Sequence, residues 1–203
     1  TLFLQNVWSQ ITAELNLEKI DNAIIQDITK KKVEVLIGAD PEFELTKNNR
    51  VLKADRHIHV TDMYHGPIGV DGASAQIEIR PKPGTPAQVT RNIKKLIKTF
   101  SSDYEEFDLS TVGNKYPLGG HIHVGIGTEY SPDRDLISLL DHFVGSATIE
   151  MSGTARSEYK HLGKCRTQPH GFEYRTPPGS VFMNPGMAFI TMKIVKNICE
   201  QYF

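Results

Sequence analysis

The sequence predicts an α+β domain, an antiparallel sheet with helices packed on one face. Three observations point there. Proline-led helix starts recur at Thr85-Pro86, Ser131-Pro132 and Asn184-Pro185, each followed by apolar residues at helical spacing. Between them lie short segments in which apolar and polar residues alternate, the period of a half-buried strand. Those segments are bounded by Gly and Pro, with no linker or low-complexity stretch between them.

Residues 1–32 read as an N-terminal helical segment. Ile11, Leu15, Ile20, Ile24, Ile25 and Ile28 recur near a 3.6 period, and Lys30-Lys31-Lys32 suits a helix C-terminus. From Val33 the period changes to two through Val33, Val35 and Ile37, then Phe43 and Leu45, with breaks expected at Gly38 and Pro41. Further strands are expected over 56–60, 68–71, 75–80, 118–126 and 171–176. Thr85-Pro86-Ala87-Gln88 has the form of a capping box, and Val89, Ile93, Leu96, Ile97 and Phe100 form its stripe. Ser131-Pro132 opens a second stripe of Leu136, Leu139, Leu140 and Phe143. Asn184-Pro185 opens a third, Ile190, Ile194, Val195 and Ile198. The expected organisation is a single domain over 1–203: the helical segment 1–32, a sheet core 33–180 and a C-terminal helix 184–203.

Composition excludes more than it identifies. In 203 residues, 23 Lys+Arg oppose 24 Asp+Glu, a net charge of -1, so no counterion-driven grip on nucleic acid is expected. No apolar run reaches the ~18–20 residues of a membrane span. The start, Thr1-Leu2-Phe3-Leu4, lacks a basic n-region and a long h-region, so a cytoplasmic location is expected. Cys165 and Cys199 make neither a disulfide framework nor a zinc pair. Trp8 and the N-terminal helix read as a packing or self-association surface, and a homo-oligomer stays open.

In a strand, residues i and i+2 point the same way. Asp40, Glu42 and Glu44 therefore share one side of Gly38-Ala-Asp-Pro-Glu-Phe-Glu. Gln76, Glu78 and Arg80 share a face opposite Ile77 and Ile79; His121 and His123 share one in Gly120-His-Ile-His-Val; Glu173 and Arg175 share one in Phe172-Glu-Tyr-Arg. A solvated sheet face explains any one segment. Jointly they would stack carboxylates on neighbouring strands, which is repulsive without a cation. So many oxygen donors with one or two imidazoles suit Mg²⁺ or Mn²⁺ better than zinc. Arginines on the same floor suit an anionic oxygen beside the metal.

These segments resemble the carboxylate–amine ligases of the glutamine synthetase and glutamate–cysteine ligase superfamily, and more closely the phage-type COOH-NH2 ligases (amidoligases). Gly38-Ala-Asp40-Pro-Glu42-Phe resembles the family's Gly-x-Glu-Pro-Glu-Phe strand. Asp71-Gly-Ala-Ser-Ala-Gln76-Ile-Glu78 is similar to its acidic Gly-rich turn, Gly120-His121-Ile-His123 to its Gly-x-His-x-His strand, and Glu173-Tyr-Arg175-Thr-Pro to its Glu-x-Arg-x-Pro strand. The resemblance implies a cupped antiparallel sheet of the glutamine synthetase catalytic type. It implies ATP-dependent activation of a carboxylate to an acyl phosphate, then attack by an amine. Glu42, Asp71 and Glu78 would hold a Mg²⁺ or Mn²⁺ ion near the substrate. Asp40, His121 and Glu173 would hold the one bridging the ATP phosphates. Arg175 and Arg166 would neutralise the phosphoryl group, with His123 and Lys164 also facing the nucleotide. The partners implied are a small-molecule or peptide carboxylate and an amine, in the host cytoplasm if the chain is phage-encoded. Asp40 and Asp71 are each shorter than the Glu of the pattern.

Other residues leave alternatives open. The attacking amine needs a carboxylate base, for which Glu44 and Asp71 are candidates. His57-Ile58-His59-Val60 copies the His121 tetrapeptide and reads as a surface or sheet-edge pair. Residues 152–171 are basic and are expected to form a loop over phosphates or a plain solvated one. Cys165 beside Arg166 invites a lowered pKa, but no partner pattern supports a thiol nucleophile. A metal-dependent hydrolase, or an inactive protein that keeps the fold, stays as the alternative function.

Overall fold

The spine of the structure is one long strand, β1 (Leu36–Lys47). The computed structural model describes residues 33–70, 75–113, 115–151 and 161–203. The helical segment expected over 1–32 lies outside the described residues, and so does Asp71. Glu34–Phe203 forms one compact unit.

Around β1 come β2 (Arg50–Leu52), β3 (Ile68–Val70), β4 (Ile77–Ile79), β5 (Asp108–Ser110), β6 (Gly120–Gly125), β7 (Cys165–Gln168) and β8 (Gly171–Tyr174). The sheet runs β3-β4-β1-β6-β8-β7, with β2 and β5 pairing the end of β1. Every pairing is antiparallel. Asn48 and Asn49, both at positive φ, make the two-residue turn from β1 to β2.

The period-two pattern holds where it places the site. Odd-numbered residues of β1 enter the core: Ile37 and Ala39 in one cluster, Phe43 and Leu45 in a second. Ile77 and Ile79 of β4, Ile122 and Val124 of β6, and Phe172 and Tyr174 of β8 are buried with them. Three helices close that side: α1 (Pro86–Asp103), α2 (Arg134–Leu140) and α3 (Pro185–Tyr202). Val89 and Ile93 of α1, Leu136 and Leu140 of α2, and Met192 and Val195 of α3 pack on Ile37, Ile122 and Phe172 in one cluster. This is the expected α+β arrangement. No helix among the described residues is long and apolar enough to cross a membrane.

The helix caps explain two starts and correct a third. Thr85 and Gln88 form the expected capping box, and Asn184 accepts from Gly186 and Met187 N–H. The second helix begins at Arg134, because Asp133, not Ser131, caps Leu136 N–H. On α3 the buried side carries Ala188, Thr191, Met192, Val195 and Cys199, while Ile190 of the expected stripe is exposed.

The strands also depart from expectation. β1 runs unbroken through Gly38 and Pro41. Glu42 N–H bonds Gly119 O towards β6, and Ile37 N–H bonds Gly84 O on the other edge. Pro41, odd-numbered, thus has its nitrogen on the edge away from β6, where β4 pairing has not begun. Residues 56–60 are not a strand: His57 and Ile58 N–H both turn back to Ala54 O. The basic loop expected over 152–171 contains strand β7, which adds an edge beside β8. Residues 152–160 of that segment lie outside the described residues.

Candidate active site

Opposite the helices, the sheet register lines up the ionisable residues. Glu78 of β4 faces Glu42 of β1. Asp40 faces His121 of β6. His123 faces Glu173 of β8, and Glu173 faces Arg166 of β7. Residues from four of the predicted segments and the unpredicted β7 thus form one row, all on the face turned from the apolar core.

Glu173 is the hub. It is wholly buried, yet its carboxylate meets donors from several elements. Oε2 accepts from Arg166 Nε at 2.8 Å and from Gln168 Nε2 at 2.8 Å, with Arg166 Nη2 at 2.5 Å. Oε1 lies 3.0 Å from Arg175 Nε and 3.2 Å from His121 Nδ1. Both arginine side chains are partly exposed, and both guanidiniums are held against the Glu173 carboxylate. Such planar, charged forks suit a phosphate.

Next to Glu173 lie Asp40 and the two imidazoles. Asp40 Oδ1 is 3.4 Å from His121 Nδ1, and Asp40 Oδ2 is 3.1 Å from His123 Nε2. Burial raises the Asp40 pKa, but bonds and charge from His121 and His123 win, leaving it well below the usual carboxylate range. Burial likewise opposes protonation of His121, and Asp40, Glu42 and Glu173 outweigh it, raising its pKa. A Cβ at Gly119 would collide with His121 Nε2, so that glycine makes room for the ring.

Among the described residues, Asp40 Oδ1 and Glu173 Oε1 are buried and find no well-aligned hydrogen-bond donor, although His121 lies within ion-pair distance of both and Arg175 within that of Glu173. Unsatisfied buried oxygens are costly, and a cation relieves them. Asp40, His123 and Glu173 offer ligand atoms all within 4.8 Å of one another. The oxygen-rich donor set therefore fits a divalent cation.

The second acidic pair points the same way. Glu42 and Glu78 are directly cross-strand, an arrangement unfavourable for like charges. Glu42 Oε2 accepts Gly119 N–H at 2.5 Å. Burial pushes the Glu78 carboxyl up to about 8, helped by Asp40 and Glu42 and opposed by Arg80. Arg80 pairs with Glu78 and donates to Val70 O and Gly66 O, tying the end of β4 to β3 and the segment before it.

Two further expected site residues stand outside this row. Glu44 is buried on the same side, with Oε1 accepting Lys115 and Tyr116 N–H at 2.7 and 3.0 Å, so it anchors that loop. Lys164 is exposed just before β7, held by its backbone to Arg175 and Thr176. Burial, with Asp141 and Glu173, pushes the Cys165 thiol up to about 12, the reverse of an activated nucleophile.

Sequence reasoning missed Gln168 on Glu173 and His170, whose Nε2 lies 3.2 Å from His123 Nδ1. Burial and the neighbouring His123 hold the His170 pKa below its ordinary value. It also missed a buried polar knot under the sheet. Asp141 Oδ1 there accepts from Tyr174 Oη at 2.8 Å and Thr176 Oγ1 at 3.3 Å. Asp141 opens a π-type turn, Asp141–Gly145, that continues α2.

Residues 37–203 match the family described as phage phiEco32-like COOH.NH2 ligase, type 2. No curated protein matches the chain. The matched span contains β1 from its second residue and every later strand and helix, and it covers most of the sequence. The chain belongs to the phage phiEco32-like COOH-NH2 ligase family, type 2.

Proposed function

We propose that the acidic face is the active site of an ATP-dependent carboxylate–amine ligase, joining a small-molecule or peptide carboxylate to an amine through an acyl phosphate. The observation that carries this reading is the dual use of Glu173. Its Oε1 faces His121 beside Asp40 and also pairs with Arg175, while Oε2 anchors Arg166. A cation-binding set and two guanidiniums on one face suit phosphoryl transfer better than simple hydrolysis.

Asp40, His121 and Glu173 would hold one Mg²⁺ or Mn²⁺ ion, and Glu42 and Glu78, with Asp71, another. Such ions supply charge neutralisation for the approach of a carboxylate to a phosphate. Arg166 and Arg175 would neutralise the transferred phosphoryl group, and His123 and Lys164 would face the nucleotide. Of the two candidate bases, Glu44 is held by the Lys115 and Tyr116 N–H groups, so Asp71 is the proposed acceptor of the amine proton. The family resemblance extends the reading to a cupped sheet of the glutamine synthetase type, with the acidic face concave.

The test is ADP release with a mixed pool of carboxylic acids and amines at saturating Mg²⁺. Wild type should release ADP. Arg175→Lys should lower kcat by roughly 10²-fold or more, because an ammonium cannot reproduce the fork. Equal rates in the two proteins would remove Arg175 from the mechanism.

A further inference from the structure

The end of β1 beyond the acidic row carries charge that the ligase chemistry does not use. Lys47 keeps the odd-numbered side of β1, the side of Phe43 and Leu45, and the Asn48-Asn49 turn sets it directly opposite Arg50. Like charges in that position repel. Lys47 is answered: its Nζ lies 2.7 Å from Glu106 Oε2 and 5.3 Å from the centre of the Phe107 ring. Arg50 is exposed and makes no ion pair among the described residues.

Beside this pair the surface is concave. A cavity of about 590 Å³ lies between the β1–β2 hairpin, the turn at His57 and the loop that carries Glu106 and Phe107. That volume suits a small organic molecule. The floor is apolar, because Leu52 and Phe107 both belong to the second core cluster. The His57 ring stands 5.7 Å from the Phe107 ring, tilted by 58°. The walls are tied together by backbone. His57 N–H donates to Ala54 O, His59 exchanges hydrogen bonds with the Tyr104 hydroxyl, and Phe107 N–H donates to Tyr104 O. The site is therefore formed before any ligand arrives.

The lining selects a ligand by charge and shape. Lys47 and Arg50 against Glu106 leave one positive charge, before His57 is counted. One such charge suits a monoanion, and a guanidinium takes a carboxylate through a two-point fork. A bare inorganic anion would leave the apolar floor wet, and a neutral ring would leave Arg50 unanswered.

We propose that this cavity is a second ligand site, which takes an organic carboxylate with an aromatic or apolar body. Arg50 holds the carboxylate, Leu52 and Phe107 receive the body, and His57 forms a wall. By strand parity the site lies on the side of β1 opposite Asp40, Glu42 and Glu44. A carboxylate held there is not the one that the acidic face activates, and the proposal does not depend on the ligase reading.

The experiment is a fluorine NMR titration of the full chain with para-fluorobenzoate, without ATP or metal. Wild type should bind one equivalent with a Kd of about 1 mM or tighter. Arg50→Gln should weaken binding about tenfold or more, and His57→Ala about threefold. Arg166→Gln, which removes a guanidinium from the acidic face, should leave binding unchanged. The neutral analogue para-fluorobenzyl alcohol should bind about tenfold more weakly than the acid, and Arg50→Gln should weaken it no further, because it has no carboxylate for Arg50 to hold. Para-fluorophenyl phosphate should bind no tighter than para-fluorobenzoate. Melting curves identify variants that fail to fold; His57→Ala and the alcohol then carry the test. No binding by wild type, wild-type affinity in Arg50→Gln, or a loss confined to Arg166→Gln would overturn the proposal. Tighter binding of the aryl phosphate would overturn the assignment to a carboxylate. ADP release tests the ligase reading separately, so either can fail alone.

Discussion

The tetrapeptide His-Ile-His-Val occurs twice, at 57–60 and 121–124, and the two copies end in different chemistry. Their alternation is the same. Ile58 and Ile122 are both fully buried, with the histidines turned the other way. In the first copy the backbone folds back on Ala54, and both imidazoles are exposed. His57 rests against Phe107, and the backbone of His59 exchanges hydrogen bonds with the Tyr104 hydroxyl. In the second copy the same residues lie on β6, between β1 and β8. His121 and His123 there meet Asp40, and His121 also meets Glu173. An imidazole becomes a candidate ligand through the strands on either side of it, and the tetrapeptide alone does not decide.

The comparison breaks first at the carboxylates. Glu42→Ala or Glu78→Ala should abolish ADP release while the protein still melts cooperatively. Either variant with full activity and unchanged Mg²⁺ affinity would empty the acidic face of its function.

A smaller effect separates the two copies directly. His121→Ala should lower divalent-cation affinity by roughly tenfold or more, and His57→Ala should leave it unchanged. Calorimetric Mn²⁺ titration reads both. Equal losses would mean that the first copy also binds.

Acidity sharpens the contrast further. The Glu78 carboxyl titrates at about 8 in the fold against 4.5 ordinarily, so between those values the folded protein holds a proton that the unfolded chain has lost. Stability of the metal-free protein should therefore fall as pH rises through that window. Glu78→Gln removes this loss. Its melting temperature should exceed wild type at pH 9 and approach it near pH 5; a gap independent of pH would contradict the assigned burial of charge. Smallest of all, His57→Ala should change stability by about 0.5 kcal/mol or less, measured by urea unfolding, since the ring is exposed.

What the sequence made legible was parity and capping. Phe43 and Leu45 against Glu42 and Glu44, or Ile77 and Ile79 against Glu78, fix which side of a strand faces the core before any partner is known. Thr85 and Asn184 announce their helices because an orphan N–H needs an acceptor at a definite offset. Pairing was harder to see. β7, Cys165-Arg-Thr-Gln, is an edge strand without buried apolar alternation, and β2 and β5 have three residues each. Pro41 suggested a break because its missing N–H matters only if that edge needs it. Residues 56–60 alternate correctly and still form no strand, since no neighbour offers them an edge. His170 carries no periodic signal at all; it reaches His123 because a tight turn and the β6–β8 register bring it there. The Glu44 carboxylate was legible as buried on the site side, whereas its capture by Lys115 and Tyr116 N–H depends on a loop some seventy residues away.

The central claim is that this face activates a carboxylate with ATP. Hydroxylamine tests it most directly, because as an amine surrogate it converts an acyl phosphate into a hydroxamate that ferric ion colours. With ATP, Mg²⁺ and a pool of carboxylic acids, wild type should form hydroxamate and ADP in equal amounts, and Glu173→Gln should form neither. Hydrolysis of esters or amides by the metal-loaded protein, with no hydroxamate formed in the presence of ATP, would contradict the account.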